Sequence, residues 1–222
     1  MKEKVIGVGL SKTGTSTLGK CLAILGYNHC SFEKDLVIEM YDGEYSNIWK
    51  TAKRYDSFDD FPWALLYKEF DKKYPNSRFI LTIRKDEKKW LKSFIKHSQR
   101  SGPTKVRKFV YGNSMPQEAP LEYINFYLEH NKKVKTFFER KKEKLLVVCW
   151  EKGDGWKKIC SFLNKKIPKV NFPHENKSKR IDVMLHLNPI IRKIPRGKIF
   201  DFIFRNKITK KIYNFIFRRH KK

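Results

Sequence analysis

The segment Val5-Ile-Gly-Val-Gly-Leu-Ser-Lys-Thr-Gly-Thr-Ser-Thr-Leu18 restricts the possible folds of this chain more than any other. Val5 to Leu10 is a short apolar run broken only by Gly7 and Gly9, the pattern of a parallel strand buried on both faces. Ser11 to Thr17 is small and hydroxylated, with one cation, Lys12. Leu18, Cys21, Leu22 and Leu25 then recur at helical spacing until Gly26 stops the pattern as a C-terminal cap would. Strand, tight turn and helix start direct backbone N–H groups and a helix N-terminus at one point, an arrangement suited to a phosphate or sulfate ester.

The following segments supply the rest of an α/β sheet. Tyr27 to Phe32 predicts a short second strand with His29 near its end, where ligands gather in open α/β sheets. Glu33–Met40 and Tyr45–Arg54 predict helices, and Tyr55–Pro62 a strand and turn. A helix is expected from about Trp63 to Lys73, with Asp60 either its N-cap or a catalytic carboxylate. Arg78–Ile83 predicts a buried strand from whose carboxyl end Arg84 emerges, and the helix that follows carries Trp90, Leu91, Phe94, Ile95 and Ser93. An arginine leaving a strand and a serine on the next helix can hold one phosphate between them. Ser101 to Pro120 reads as a long surface loop, either a lid or substrate-binding segment or a disordered insertion. Leu121–Lys142 predicts a long amphipathic helix without chemistry of its own, its core candidates Ile124, Tyr127, Leu128, Val134 and Phe138. Leu145–Trp150 predicts the last parallel strand, and Gly155-Trp156 opens a helix through Leu163.

The glycine turn differs from a Walker A loop at one decisive position. Gly9 and Gly14 have the Walker spacing, but Thr15 stands where that motif needs lysine, and the cation has moved to Lys12. Lys-Thr-Gly-Thr-Ser-Thr-Leu resembles the 5′-phosphosulfate loop of sulfotransferases, which use 3′-phosphoadenosine 5′-phosphosulfate (PAPS) as sulfuryl donor. The run Tyr74-Pro…Leu-Thr-Ile-Arg84…Trp90…Ser93-Phe is similar to the Arg…Ser pair that grips the donor's 3′-phosphate in that superfamily. In the family the serine usually follows by eight residues and here it follows by nine, so either the Lys85–Glu87 turn holds an extra residue or Lys92 shares the role. Gly155-Trp…Phe162-Leu…Phe172-Pro-His-Glu-Asn176 is similar to the closing block of the same family. The three matches occur in the family's order and span about residues 4 to 178.

The resemblance implies a three-layer P-loop-type α/β domain over residues 1–178, with a central, mostly parallel sheet of about five strands flanked by helices. It implies that Lys12, Thr13, Gly14, Thr15, Ser16 and Thr17 bind the 5′-phosphosulfate, and that Arg84 and Ser93 bind the 3′-phosphate. Lys12 would also stabilise charge on the leaving oxygen, and no metal is required. The acceptor would be a hydroxyl or amine of a carbohydrate, lipid or small molecule. Two general bases remain open: Asp60, which the resemblance places beside the acceptor but which needs burial to raise its basicity, and His29, a residue type that titrates near neutrality.

Composition adds a separate element. The net charge of +27 favours polyanionic partners, and from Lys177 onward fifteen Lys or Arg face only Asp182 and Asp201. Residues 179–222 form a basic, aromatic-rich extension in which 199–222 alternate apolar and basic clusters, either an interfacial segment on an anionic membrane or a helix folded onto the domain. Cys21, Cys30, Cys149 and Cys160 are too dispersed for a zinc site or a disulfide framework. No run reaches membrane-spanning length and no signal peptide is expected, so the expectation is a cytoplasmic protein, peripheral to a membrane only where the extension takes the interfacial form of the two alternatives. A P-loop kinase would need an acidic magnesium ligand, for which Glu151 is the candidate. A nucleic-acid-binding protein would explain the charge but not the loop and arginine together, and no specific nucleic acid is expected.

Overall fold

Five short parallel strands organise the chain in the computed structural model, which describes residues 3–173. They are β1 (Val5–Gly7), β2 (His29–Cys30), β3 (Ser57–Phe58), β4 (Arg78–Thr82) and β5 (Leu145–Val148), in the spatial order β2-β3-β1-β4-β5. β1 is central: Val5 and Ile6 pair with Ser57 and Phe58 on one side, and Val5 to Gly7 with Arg78 to Ile80 on the other. β4 continues the sheet to β5, from Phe79 opposite Leu145 to Thr82 opposite Val148.

The helices are α1 (Thr15–Ile24), α2 (Lys34–Tyr41), α3 (Ser46–Arg54), α4 (Tyr67–Lys73), α5 (Glu87–Ser101), α6 (Lys105–Tyr111), α7 (Pro120–Phe137) and α8 (Trp156–Leu163). They form two layers because alternate strand residues face opposite ways. Val5, Ile80 and Val148 pack with Leu18 and Leu22 of α1 and Ile159 and Leu163 of α8. Ile6, Phe79 and Leu81 pack on the other face with Phe70 of α4 and Val134 of α7. Each such side chain contributes about 1.5–3 kcal/mol by leaving water. The expected three-layer α/β fold is therefore present.

A third cluster lies beyond the carboxyl ends of the strands and joins Leu10, Phe61, Trp90, Phe94, Val106, Val110, Tyr111, Tyr123 and Tyr127. It accounts for the main departure from expectation. Residues 101–120, expected to be a loop, contain α6, which starts at Thr104, whose side chain accepts from Arg107 N–H, and ends at Gly112 in the left-handed region. Val106, Val110 and Tyr111 are drawn into the aromatic cluster, so burial orders a segment whose flanks are rich in turn residues.

Smaller corrections follow from packing as well. The helix expected from Trp63 is a 3₁₀ turn, Trp63–Leu65, followed by α4. α7 buries Tyr123, Tyr127, His130 and Val134, whereas Leu128 on the opposite face is 47% exposed. The four cysteines are free and buried. Among the described residues, no helix is long and apolar enough to cross a membrane. The basic extension 179–222, including the candidate interfacial segment 199–222, lies outside the described residues.

Candidate active site

The turn between β1 and α1 sits at the carboxyl edge of the sheet, shaped by two glycines at close approaches. A Cβ on Gly9 would lie 2.0 Å from Thr82 Oγ1 and 2.5 Å from the Thr82 carbonyl, so only glycine lets the turn pass β4. Gly14 has φ 101° with the Trp150 indole against it; a Cβ there would meet the ring at 2.4 Å. Lys12 also has positive φ, 72°. Lysine is uncommon in that region, which makes the turn a site of local strain.

Most of the turn's side-chain and carbonyl groups bond to the protein. Thr13 Oγ1 donates to the Leu10 carbonyl at 2.6 Å, so the Thr82 hydroxyl, also at 2.6 Å, donates to it. Trp90 Nε1 donates to the Ser11 carbonyl at 2.9 Å, and Trp150 Nε1 to the Gly14 carbonyl at 3.1 Å. His130 Nε2 donates to the Val8 carbonyl at 2.7 Å from its buried place on α7, where desolvation lowers its pKa and keeps the ring neutral. These bonds rigidify the turn through its carbonyls. Thr17 and Leu18 N–H both bond Gly14 O at 3.1 Å, while the earlier N–H groups of α1 lie at a helix start, which provides no intrahelical acceptors for them. Ser16 is exposed there, whereas Thr15 and Thr17 are buried.

Asp60 joins this turn from β3. Its Oδ1 accepts from Ser11 Oγ at 2.5 Å and from Phe61 N–H at 3.0 Å, and Oδ2 accepts from Thr15 Oγ1 at 3.2 Å. It does not cap a helix with its side chain, because φ of 63° turns the backbone and the carboxylate bonds its own neighbour. Burial above all pushes its pKa up to about 6, Asp59 adds to the rise, and the three hydrogen bonds hold it back. The carboxyl group is thus poised for proton exchange near neutrality.

His29 is placed differently. Its Nδ1 lies 2.8 Å from Ser57 Oγ and its Nε2 3.5 Å from Asp59 Oδ2, and a Cβ on Gly19 would come within 2.6 Å of Nε2. The ring is wedged between α1 and β3, with its polar contacts to Ser57 and the fully buried Asp59. Of the two candidate bases, only Asp60 is bonded to the turn.

Arg84 follows β4 by two residues and so shares the turn's edge of the sheet, next to Thr82, which clasps Thr13. Its backbone N–H donates to Tyr127 Oη at 3.1 Å, its Nη2 lies 3.1 Å from Glu151 Oε1, and its Nε is buried without an acceptor. Ser93 is half-buried on α5. At ~100° per residue it lies about 60° around the helix from Trp90, whose indole reaches the turn, whereas the exposed Lys92 lies about 160° away. That places Ser93 rather than Lys92 on the side of the turn. Glu151 is engaged by Arg84 and by the Lys85 N–H at 2.8 Å, which disfavours it as a magnesium ligand. Among the described residues no group of three or more His, Cys, Asp or Glu could hold a metal ion.

Ser11, Trp90, Tyr127, His130 and Trp150 are the residues the sequence left unassigned at this edge. Only Ser11 carried a signal, as the one hydroxyl before Lys12; the others act through contacts made far along the chain.

Comparison with known proteins agrees with this geometry. The family described as "Sulfotransferase domain" matches residues 4–112 and 104–181. The "Ava biosynthesis cluster protein M" of Aspergillus versicolor is 26% identical over 216 residues, covering 77% of this chain and 80% of the relative. The family match takes in β1 to α8, with the glycine turn, Asp60 and Arg84 inside it, and the chain belongs to the sulfotransferase domain family.

Proposed function

We propose that the protein transfers a sulfuryl group from PAPS to a hydroxyl or amine of an acceptor. The observation that carries this reading is the shared edge: the glycine turn and Arg84 follow neighbouring parallel strands, β1 and β4, and Thr13 and Thr82 link them at 2.6 Å. A nucleotide with anions at both ends fits two cationic, N–H-rich places on one edge. The unpartnered, buried Arg84 Nε is a donor awaiting an acceptor, which supports an anion there.

PAPS supplies the activated sulfuryl group and, in its 3′-phosphate, a handle absent from ATP. Lys12 and the N–H groups of Gly14, Thr15 and Ser16 hold the 5′-phosphosulfate and stabilise the negative charge that develops on the leaving oxygen. Arg84, with Ser93, orients the 3′-phosphate. Asp60 accepts the proton of the attacking hydroxyl or amine, and Ser11 and Thr15 fix the carboxylate against the turn. A sulfur–oxygen bond to an acceptor hydroxyl, or a sulfur–nitrogen bond to an acceptor amine, then forms as the donor's sulfur–oxygen bond breaks, and adenosine 3′,5′-bisphosphate leaves.

Calorimetric titration with adenosine 3′,5′-bisphosphate and with ATP plus magnesium tests the reading. The bisphosphate is expected to bind without metal, and Arg84→Ala to weaken it roughly 10–100-fold, the worth of a charged hydrogen-bonded contact. Preference for ATP with magnesium, or bisphosphate binding that is indifferent to Arg84→Ala, overturns it.

A further inference from the structure

Glu151 stands just past β5, and its carboxylate is the anion that Arg84 holds in this structure. Oε1 lies 3.1 Å from Arg84 Nη2, and Oε2 accepts from Lys85 N–H at 2.8 Å. The contact bridges the ends of two paired strands, since Thr82 of β4 lies opposite Val148 of β5. Both side chains are 27% exposed, so a solute can reach the pair. Arg84 Nε, by contrast, is buried and has no acceptor. Both oxygens of Glu151 are engaged, one by the guanidinium and one by the backbone, so the carboxylate satisfies the arginine at a single nitrogen. A phosphate monoester carries three terminal oxygens and nearly two charges, and can take Nε and a terminal nitrogen of the guanidinium fork together.

We infer that Glu151 is a resident counter-anion, displaced from Arg84 by the 3′-phosphate of the nucleotide. The inference rests on the assignment of Arg84 to that phosphate and extends it to a residue that touches no reacting atom. Glu151 occupies the guanidinium while the site is empty and excludes anions too weak to replace it. The same competition lowers the affinity for the spent nucleotide, which keeps its 3′-phosphate after transfer, and so favours product release. Glu151 therefore sets how tightly and how selectively this end of the site holds its ligand.

The test is calorimetry on the whole chain with two probes, adenosine 3′,5′-bisphosphate and adenosine 5′-monophosphate, in wild type, Glu151→Gln and Glu129→Gln. The amide of Glu151→Gln keeps an oxygen for the Lys85 N–H and removes only the charge. Glu129 is 65% exposed on α7 and paired with Lys133, so its variant reproduces the change in net charge away from Arg84. Glu151→Gln is expected to bind the bisphosphate roughly fivefold tighter, the scale of one partly exposed ion pair. The monophosphate and the Glu129→Gln protein should stay within about twofold of wild type. Unchanged or weaker bisphosphate binding in Glu151→Gln overturns the inference, because Glu151 would then be orienting the arginine. An equal gain for the monophosphate overturns it as well, by reducing the effect to a general field. Wild type that fails to bind the bisphosphate refutes the sulfotransferase reading and this inference together. Wild-type binding that Arg84→Ala abolishes and Glu151→Gln leaves unaltered refutes this inference alone.

Discussion

Gly9→Ala tests whether the site depends on the close passage of the turn over β4. The added Cβ would lie 2.0 Å from Thr82 Oγ1, 2.5 Å from its carbonyl oxygen and 2.8 Å from its amide nitrogen. Two of these three atoms are backbone, so no rotamer of Thr82 relieves the contact. Restoring an ordinary separation of about 3.4 Å from the carbonyl requires β1 and β4 to part there by about 0.9 Å. The adjoining bond from Val8 N–H to the Ile80 carbonyl, 2.9 Å long, and the 2.6 Å Thr13–Thr82 clasp would both stretch beyond hydrogen-bonding range. Two lost bonds at about 1 kcal/mol each, with about 1–3 kcal/mol of overpacking, give a destabilisation of roughly 3–5 kcal/mol. In a chain of this size each kcal/mol lowers Tm by about 2–4 °C, so a fall of about 6–20 °C is expected in thermal unfolding. The turn would also move away from Arg84, and bisphosphate affinity should fall with stability. Gly9→Ala with stability within about 0.5 kcal/mol of wild type would mean that the turn does not depend on its close passage over β4, because that is the range of a surface substitution without special contacts.

Two further predictions concern side chains bonded to this edge. Asp60→Asn is expected to lower the transfer rate by about 10²-fold or more while leaving bisphosphate binding in place, and equal rates would remove Asp60 as the base. With its pKa pushed up to about 6, the wild-type rate should fall as the pH drops through that value. A carboxyl group whose pKa is raised on folding favours the folded state from pH about 6 down to about 3.9, so this acid limb reports loss of the base rather than unfolding. Tyr127→Phe leaves the Arg84 N–H without its acceptor, and urea denaturation should show a loss of about 1–3 kcal/mol. Unchanged stability would mean that this N–H finds water instead.

The strands and the turn were readable because their signals are local. Val5–Leu10 is apolar without interruption other than glycine, and the strand, turn and helix appear in consecutive residues. Arg84 was readable for the same reason, as a charge just past the strand segment Arg78–Ile83, whose centre Phe79-Ile80-Leu81 is apolar. α6 was hidden because Gly102, Pro103, Gly112 and Asn113 flank it closely, and what orders it is burial of Val106, Val110 and Tyr111 against α5 and α7. Its local signal, Thr104 as a cap with apolar residues at 106, 109 and 110, was present but outweighed by its surroundings. His29 and Asp60 both qualify as bases at the sheet edge, and sequence position favours Asp60 only by a small margin. The packing at Gly19 separates them, and that contact joins two parts of the chain that local pattern cannot relate.

The braces of the turn were beyond local reading for a reason that bears on mechanism. His130 reaches the Val8 carbonyl across 122 residues of chain, Trp150 the Gly14 carbonyl across 136, and Trp90 the Ser11 carbonyl across 79. All three donate to carbonyl oxygens. Each bond removes a negative end of a peptide dipole from the space where an anion would sit, and leaves the N–H ends of the helix start facing it. A turn held through its carbonyls is therefore rigid before any ligand arrives, with the N–H groups of the helix start left to meet an anion, which is the preorganisation that charge stabilisation on a leaving oxygen requires. The same helix, α7, carries His130 to β1 and Tyr127 to the Arg84 N–H at the end of β4. One rigid element thus fixes the spacing between the two ends of the proposed nucleotide site, a distance that neither strand sets alone.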